Sequence, residues 1–274
     1  MSDNPLRQYF RRPTIYFKLP SGGKYYAPGV INMPPNGELP VYPMSSNDEI
    51  TVRTADGLYN GSSTMEVIKS CIPAITDPWQ LNGIDLEAII VAIRAASLDG
   101  KMEILSTCPE CHEESKYDID LLRLLAEKVH IDYDTPLNIG DLTVHFRPLT
   151  FAETNGNGMR QFEVQRLIAT MENYEDGEQK HAVVKEGLTK MNEIMTDIIC
   201  QMIAAIKTPE TTVTDKEHIR DFLSNCDAKT SKAVKEFSTE LRQKNDTKPL
   251  NIKCIKCGHE YRQSLVLNFT DFFD

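Results

Sequence analysis

Cys108-Pro109-Glu110-Cys111 and Cys254-Ile255-Lys256-Cys257 decide how this chain is read. Each is a CxxC turn, which sets two thiolates on the same side of a tight loop, and two such turns supply the four soft ligands of a tetrahedral zinc site. Each is flanked by short segments with strand character, residues 102–107 and 116–121 around the first pair, 250–253 and 261–269 around the second. The same strand, knuckle, strand pattern therefore occurs twice. Between Cys111 and Cys254 lie 142 residues, far more than the roughly 15–20 of a compact motif. Loop-closure entropy grows only logarithmically with length, and metal binding contributes more than so long a loop demands. The reading is a discontinuous zinc ribbon built from residues 101–120 and 250–274, with Cys108, Cys111, Cys254 and Cys257 as ligands of a structural Zn2+ and residues 121–249 inserted between its halves.

Other readings of the two pairs stay open at this stage. His112 and His259 follow their knuckles closely, so a site of three cysteines and one histidine is an alternative, although both suit polar turn positions. A redox-active pair needs a low-pKa cysteine at a helix N-terminus beside a βαβ unit, and neither pair has that setting. Two unrelated reduced pairs without a metal are the plainest alternative. The seven cysteines are an odd number, and the opening residues MSDNPLRQYFRRP have no apolar run behind their arginines, so no secretory signal is expected and the thiols are expected to be reduced.

Outward from the knuckles the pattern is α+β. Residues 1–50 alternate short apolar or aromatic runs with Pro and Gly, as in Leu19-Pro20-Ser21-Gly22-Gly23 and Leu39-Pro40-Val41-Tyr42, which suits a β-rich arm of extended segments and turns. Residues 51–100 form a helical segment. Within it, residues 85–97 are strong helix formers, apolar on most faces, and end at Asp99-Gly100, which predicts a core helix. The inserted middle is mainly helical, with helices expected at 120–128, 151–172, 178–207, 214–225 and 227–244 and a strand at 142–148. Over 178–207, Val184, Leu188, Met191, Ile194, Met195, Ile198, Ile199, Met202, Ile203 and Ile206 recur at helical steps until Thr208-Pro209. Gly156-Asn157-Gly158 reads as a loop, since it lacks the preceding strand and the lysine of a phosphate-binding loop.

Composition narrows the function. With 30 Lys plus Arg against 40 Asp plus Glu, a net charge of −10 disfavours wholesale coating of a phosphate backbone. Apolar runs such as residues 89–93 fall far short of the roughly 18 residues a membrane span needs. No nucleophile elbow, zinc-protease helix or dinucleotide fingerprint is present, and four thiolates leave zinc no open position for water, so neither catalysis nor a small-molecule substrate is expected. Residues 229–262 hold nine Lys or Arg against four Asp or Glu, with Lys229, Lys232 and Lys235 at helical steps. A solvated helix face explains them, and a nucleic-acid-binding zinc ribbon is the alternative. Phe269, Phe272 and Phe273 would be costly if exposed, so they either complete the ribbon's core or insert into a partner.

The ordered residues also resemble a known family. Leu19-Pro20-Ser21-Gly22-Gly23-Lys24-Tyr25-Tyr26, Val41-Tyr42-Pro43-Met44 with Asp48-Glu49, Thr54-Ala55-Asp56-Gly57-Leu58 with Asn60-Gly61, Ser70-Cys71-Ile72-Pro73, Ile93-Arg94-Ala95-Ala96-Ser97, Cys108-Pro109-Glu110-Cys111, Arg147-Pro148-Leu149-Thr150-Phe151 and the Cys254/Cys257 knuckle together resemble the T4-type bacteriophage baseplate proteins. The resemblance spans nearly the whole chain, which is longer than the T4 protein. It implies a non-enzymatic factor in tail baseplate hub assembly, a chaperone or structural component. Its partners would be phage tail hub and tape-measure proteins. It would act in the host cytoplasm during tail assembly or reside in the virion baseplate.

Overall fold

The structure, a computed structural model, describes residues 4–53, 61–98, 100–127, 132–169, 177–244 and 249–263. The chain is mixed α+β; of the described residues 50% are helical and 20% strand. In chain order the elements are β1 (Ile15–Phe17), β2 (Leu39–Val41), α1 (Ser46–Val52), α2 (Ser62–Cys71), α3 (Gly83–Ser97), β3 (Lys101–Thr107), β4 (Glu114–Asp120), α4 (Leu121–Ala126), β5 (Leu137–Ile139), β6 (Leu142–Phe146), α5 (Phe151–Ala169), α6 (Gly177–Met202), β7 (Ile203–Lys207), β8 (Thr212–Val213), α7 (Lys216–Asn225), α8 (Ala228–Lys244), β9 (Leu250–Lys253) and β10 (Glu260–Gln263). Two compact units divide the chain, residues 1–130 with 246–274, and residues 131–245.

The first unit is organised around α3. Its apolar residues fall on nearly every face, and Leu86, Ile89, Ile90, Val91 and Ile93 are buried. Burying each such side chain contributes about 1.5–3 kcal/mol. The Asn82 side chain accepts the Asp85 amide at 2.9 Å and so caps the helix start. Asp85 itself is fully buried. Its carboxylate accepts from the Ser21 amide (2.9 Å), the Ser21 hydroxyl, the Tyr26 hydroxyl (2.6 Å) and the Asn82 amide (3.1 Å). Burial first, then the adjacent carboxylate, raises the Tyr26 pKa well above its ordinary value. This network ties the Pro- and Gly-rich arm to the core helix, and β1 and β2 pair antiparallel within that arm, Ile15 opposite Val41 and Phe17 opposite Leu39.

A second polar anchor joins the arm to α1 and α2. The Arg11 guanidinium donates to Asp48 (2.8 Å), the Pro43 carbonyl (2.8 Å), the Ser70 carbonyl (3.0 Å) and the Ser70 hydroxyl (2.7 Å). Asp48 also completes a capping box with Ser45 at the start of α1.

In the second unit the strands run in the order β5-β6-β7-β8, all neighbours antiparallel. Here two expectations fail. The helix expected over 178–207 stops at Met202, and Ile203–Lys207 is a strand paired to β6, Val144 opposite Ile206. Ile203 and Ile206 satisfy the helical spacing, but their β-branched side chains and an available partner strand decide for the sheet. Gly156 and Gly158 lie inside α5 and not in a loop. Between them, buried Asn157 donates to Gln201 of α6 at 2.7 Å, so tertiary contact overrides weak helix propensity.

Helices α5 and α6 pack against each other. A side chain at Gly187 would meet Ile168 at 2.5 Å, which explains glycine where the helices approach. Thr150 and Glu153 form a capping box at the start of α5, and the Arg147 guanidinium donates to Glu153 at 3.0 Å. Lys216 at the start of α7 donates to the carbonyls of Cys200, Gln201 and Ile203, answering the open end of α6. Phe146 of β6 packs on Phe237 of α8 with ring centroids 5.2 Å apart.

Candidate metal centre

Both cysteine pairs sit at the tips of antiparallel hairpins. In the first, β3 and β4 pair from Lys101 opposite Asp120 to Thr107 opposite Glu114. In the second, β9 and β10 pair from Leu250 opposite Gln263 to Lys253 opposite Glu260. The tips close by the same two backbone bonds. The Cys108 amide donates to the Glu113 carbonyl (2.9 Å) and the His112 amide to the Cys108 carbonyl (3.0 Å); the Cys254 amide donates to His259 (2.8 Å) and the Gly258 amide to Cys254 (3.0 Å). His112 and Gly258 thus hold equivalent positions, and both have left-handed backbones, φ 55° and 75°. That conformation is routine for glycine and uncommon for a histidine.

The two tips meet. The sulfurs of Cys108 and Cys257 lie 3.7 Å apart and those of Cys111 and Cys254 3.6 Å apart, and all four fall within 4.8 Å of one another. A disulfide would need about 2.05 Å. Four sulfurs each about 2.3 Å from a central metal stand roughly 3.8 Å apart in a tetrahedron, close to the 3.6 and 3.7 Å of these two pairs. Cys108 and Cys254 are buried and Cys257 is exposed. Neither His112 nor His259 joins the group, and the His259 ring stacks on Tyr261 instead.

The knuckle backbone favours thiolate. Amides of Cys257 and Lys256, with the neighbouring thiols, pull the Cys254 pKa down to about 6. Cys257 moves the other way, up to about 12: the His259 amide favours its thiolate, but partial desolvation and the sulfurs of Cys111, Cys254 and Cys108 outweigh it. Four thiols so close cannot all ionise without a cation among them.

Around the sulfurs, polar bonds join the hairpins. The Ser106 hydroxyl bonds to the Tyr261 hydroxyl (2.8 Å) and donates to Gln263 (2.9 Å), and Lys256 donates to Glu113 (2.6 Å). The sequence gives no hint of these pairs, because nothing in Ser106 or Gln263 distinguishes them from other polar strand residues. Phe269, Phe272 and Phe273 lie outside the described residues. In the basic stretch beside the second knuckle, Lys232, Lys244 and Lys253 face Glu236, Glu240 and Glu260 at 3.7, 2.7 and 3.4 Å. Such pairing belongs to a solvated surface and does not favour the nucleic-acid alternative.

The sequence model describing T4 bacteriophage base plate proteins matches residues 13–274. The chain belongs to the T4 bacteriophage base plate protein family. No curated protein and no solved structure matches it significantly. Within this base plate protein the resembling motifs converge in space. Ser21 and Tyr26 meet Asp85; Asp48 and Ser70 meet Arg11; and Ser97 accepts the Met44 amide at 2.9 Å while donating to Ile93 at 2.7 Å. Among the described residues no helix is long and apolar enough to cross a membrane.

Proposed function

We propose that this base plate protein is a non-catalytic, zinc-clamped component or assembly factor of the tail hub, acting through protein–protein contacts. Zinc is held by Cys108, Cys111, Cys254 and Cys257 in a closed structural site, joining residues 101–120 to 250–263 as the two halves of a ribbon. The partners are hub or tape-measure proteins, met in the host cytoplasm during assembly or in the finished baseplate. The family match over residues 13–274 carries this reading, and the sulfur spacing supports the metal. Four thiolates satisfy zinc completely, so the site stabilises the fold and does not activate water.

The test is affinity purification of tagged protein from infected cells, with mass spectrometry of co-purifying chains and of finished virions, and zinc quantified per chain. Hub or tape-measure proteins should co-purify with about one zinc per chain. Recovery in virions makes the protein a structural component, and its absence from them an assembly factor. Finding it with neither would overturn the assembly reading. A full zinc complement in either Cys108→Ser or Cys254→Ser would overturn the shared site.

A further inference from the structure

The turn ahead of the Arg11 anchor presents large apolar side chains to solvent. Residues Pro5–Tyr9 form a 3-10 turn that buries none of its residues. Leu6 is 60% exposed, Tyr9 77% and Phe10 57%. Such exposure is costly unless the residues are used, and here the turn is held in place on both sides. The Asn4 side chain accepts the Leu6 amide, the Phe10 amide donates to the Arg7 carbonyl, and Arg11 is fixed by four hydrogen bonds to Asp48, Pro43 and Ser70. Rigid aromatic and aliphatic side chains lose little entropy when they bind, which is the character of an interface anchor.

Charge selects the occupant. Residues 4–18 contain Arg7, Arg11, Arg12 and Lys18 and no Asp or Glu, in a chain of net charge −10. Arg11 is engaged with Asp48, but Arg12 and Lys18 are exposed. The Arg12 guanidinium donates to the Gln8 carbonyl at 3.2 Å, which places its charge on the turn itself. We infer that Leu6, Tyr9 and Phe10, flanked by Arg12, dock into an apolar groove on an acidic protein surface of another chain in the phage particle. A protein is favoured over nucleic acid for two reasons. Leu6 offers no face for base stacking, and few outward cations on a strongly acidic chain make a poor phosphate track. This inference rests on the assembly reading, for which it names the contact surface.

The test places a photo-crosslinking benzoylphenylalanine at position 10 of the full chain in infected cells, with the same group at Glu66, exposed on α2, as control. Adducts at position 10 should join a peptide of a different phage protein that carries Asp or Glu beside apolar residues. Leu6→Ser/Tyr9→Ser and Arg12→Glu/Lys18→Glu should each reduce the adduct at least tenfold. Their thermal midpoints should match the parent, because the turn contributes nothing to the core. Adducts to DNA, to a second copy or to a basic segment would overturn the inference, as would yields no higher than at Glu66. If the chain purifies with particles but position 10 gives no specific adduct, the docking surface is wrong and the assembly reading stands. If it purifies with neither hub nor tape-measure proteins, the assembly reading fails, and the adduct is still scored in whole cells.

Discussion

Stripping the metal from the folded protein should free the hairpin β9–β10 while leaving residues 131–245 intact. The magnitude follows from what else holds that hairpin. Ser106 with Tyr261 and Gln263 provides bonds of about 1 kcal/mol each, and the solvent-screened Lys256–Glu113 pair adds little. Burial of Ile252 adds about 2 kcal/mol. Against these stands loop closure. A freely flexible insert of this length would cost roughly 5 kcal/mol to close. Within the folded second unit, however, α8 packs on β5, so the insert is not freely flexible and closes a shorter effective loop. A loop of about 15 residues would cost about 3 kcal/mol. A lone two-stranded hairpin is at best marginal in water. The balance therefore lies within about 2 kcal/mol of zero, and a zinc contribution of roughly 10–16 kcal/mol decides it. Hydrogen exchange read by mass spectrometry, with and without chelator at fixed pH, is the assay. Amides of Leu250–Lys253 and Glu260–Gln263 should lose protection on chelation while those of β6 and β7 keep theirs. Unchanged protection of both segments, once the metal is shown to be gone, would refute the reasoning.

Three further outcomes are expected. Asp85→Ala leaves the buried Ser21 amide and hydroxyl and the part-buried Tyr26 hydroxyl without their acceptor, while Asn82 keeps its bond to Tyr26, and should cost about 3–5 kcal/mol; urea unfolding followed through Trp79, the one tryptophan, checks this, and a loss under about 1 kcal/mol contradicts it. At Asp48 burial opposes ionisation, but Ser45, Ser70 and Arg11 outweigh it; at Glu153 burial is likewise outweighed, by Arg147 and Thr150, and both carboxylates sit below their ordinary range. A depressed folded pKa gives stability that is complete above the unfolded value near 4 and is lost as pH falls through the folded one, so unfolding free energy should drop as pH falls below about 5, and Arg147→Met should flatten the part due to Glu153. Lys216→Met removes the cation that answers the last carbonyls of α6 and should lower stability by about 1–2 kcal/mol, measured by circular dichroism during urea unfolding.

The convergence of the four cysteines was legible because each CxxC turn is a local signal that survives any distance along the chain. Their convergence follows from a local rule applied twice. Helix α3 was legible for a related reason, since its composition and the Asp99-Gly100 boundary are local signals, whereas its cap at Asn82 emerged only from the structure. Strand β7 was not. Ile203 and Ile206 fit a helical stripe and a strand equally well, and only the partner strand β6, some sixty residues earlier, distinguishes them. Gly156 and Gly158 misled in the opposite sense, because the Asn157–Gln201 contact that holds the helix there is invisible from neighbouring residues. The Asp85 and Arg11 networks were equally hidden. Their members stand 59 to 64 residues apart for Asp85 with Tyr26 and Ser21, and 37 and 59 for Arg11 with Asp48 and Ser70.

The wide separation of the two knuckles along the chain has a consequence for synthesis. The ribosome adds about 5–20 residues per second, so roughly 7–30 s pass between the emergence of Cys111 and that of Cys254. Throughout that interval the first knuckle is a half-site, two thiols with no second pair to complete a tetrahedron. Residues 131–245 emerge in the meantime and can fold as a unit of their own. The order of events is constrained by the chain: residues 131–245 can take shape before the second knuckle is free of the exit tunnel, and a metal shared by both knuckles could be enclosed only afterwards.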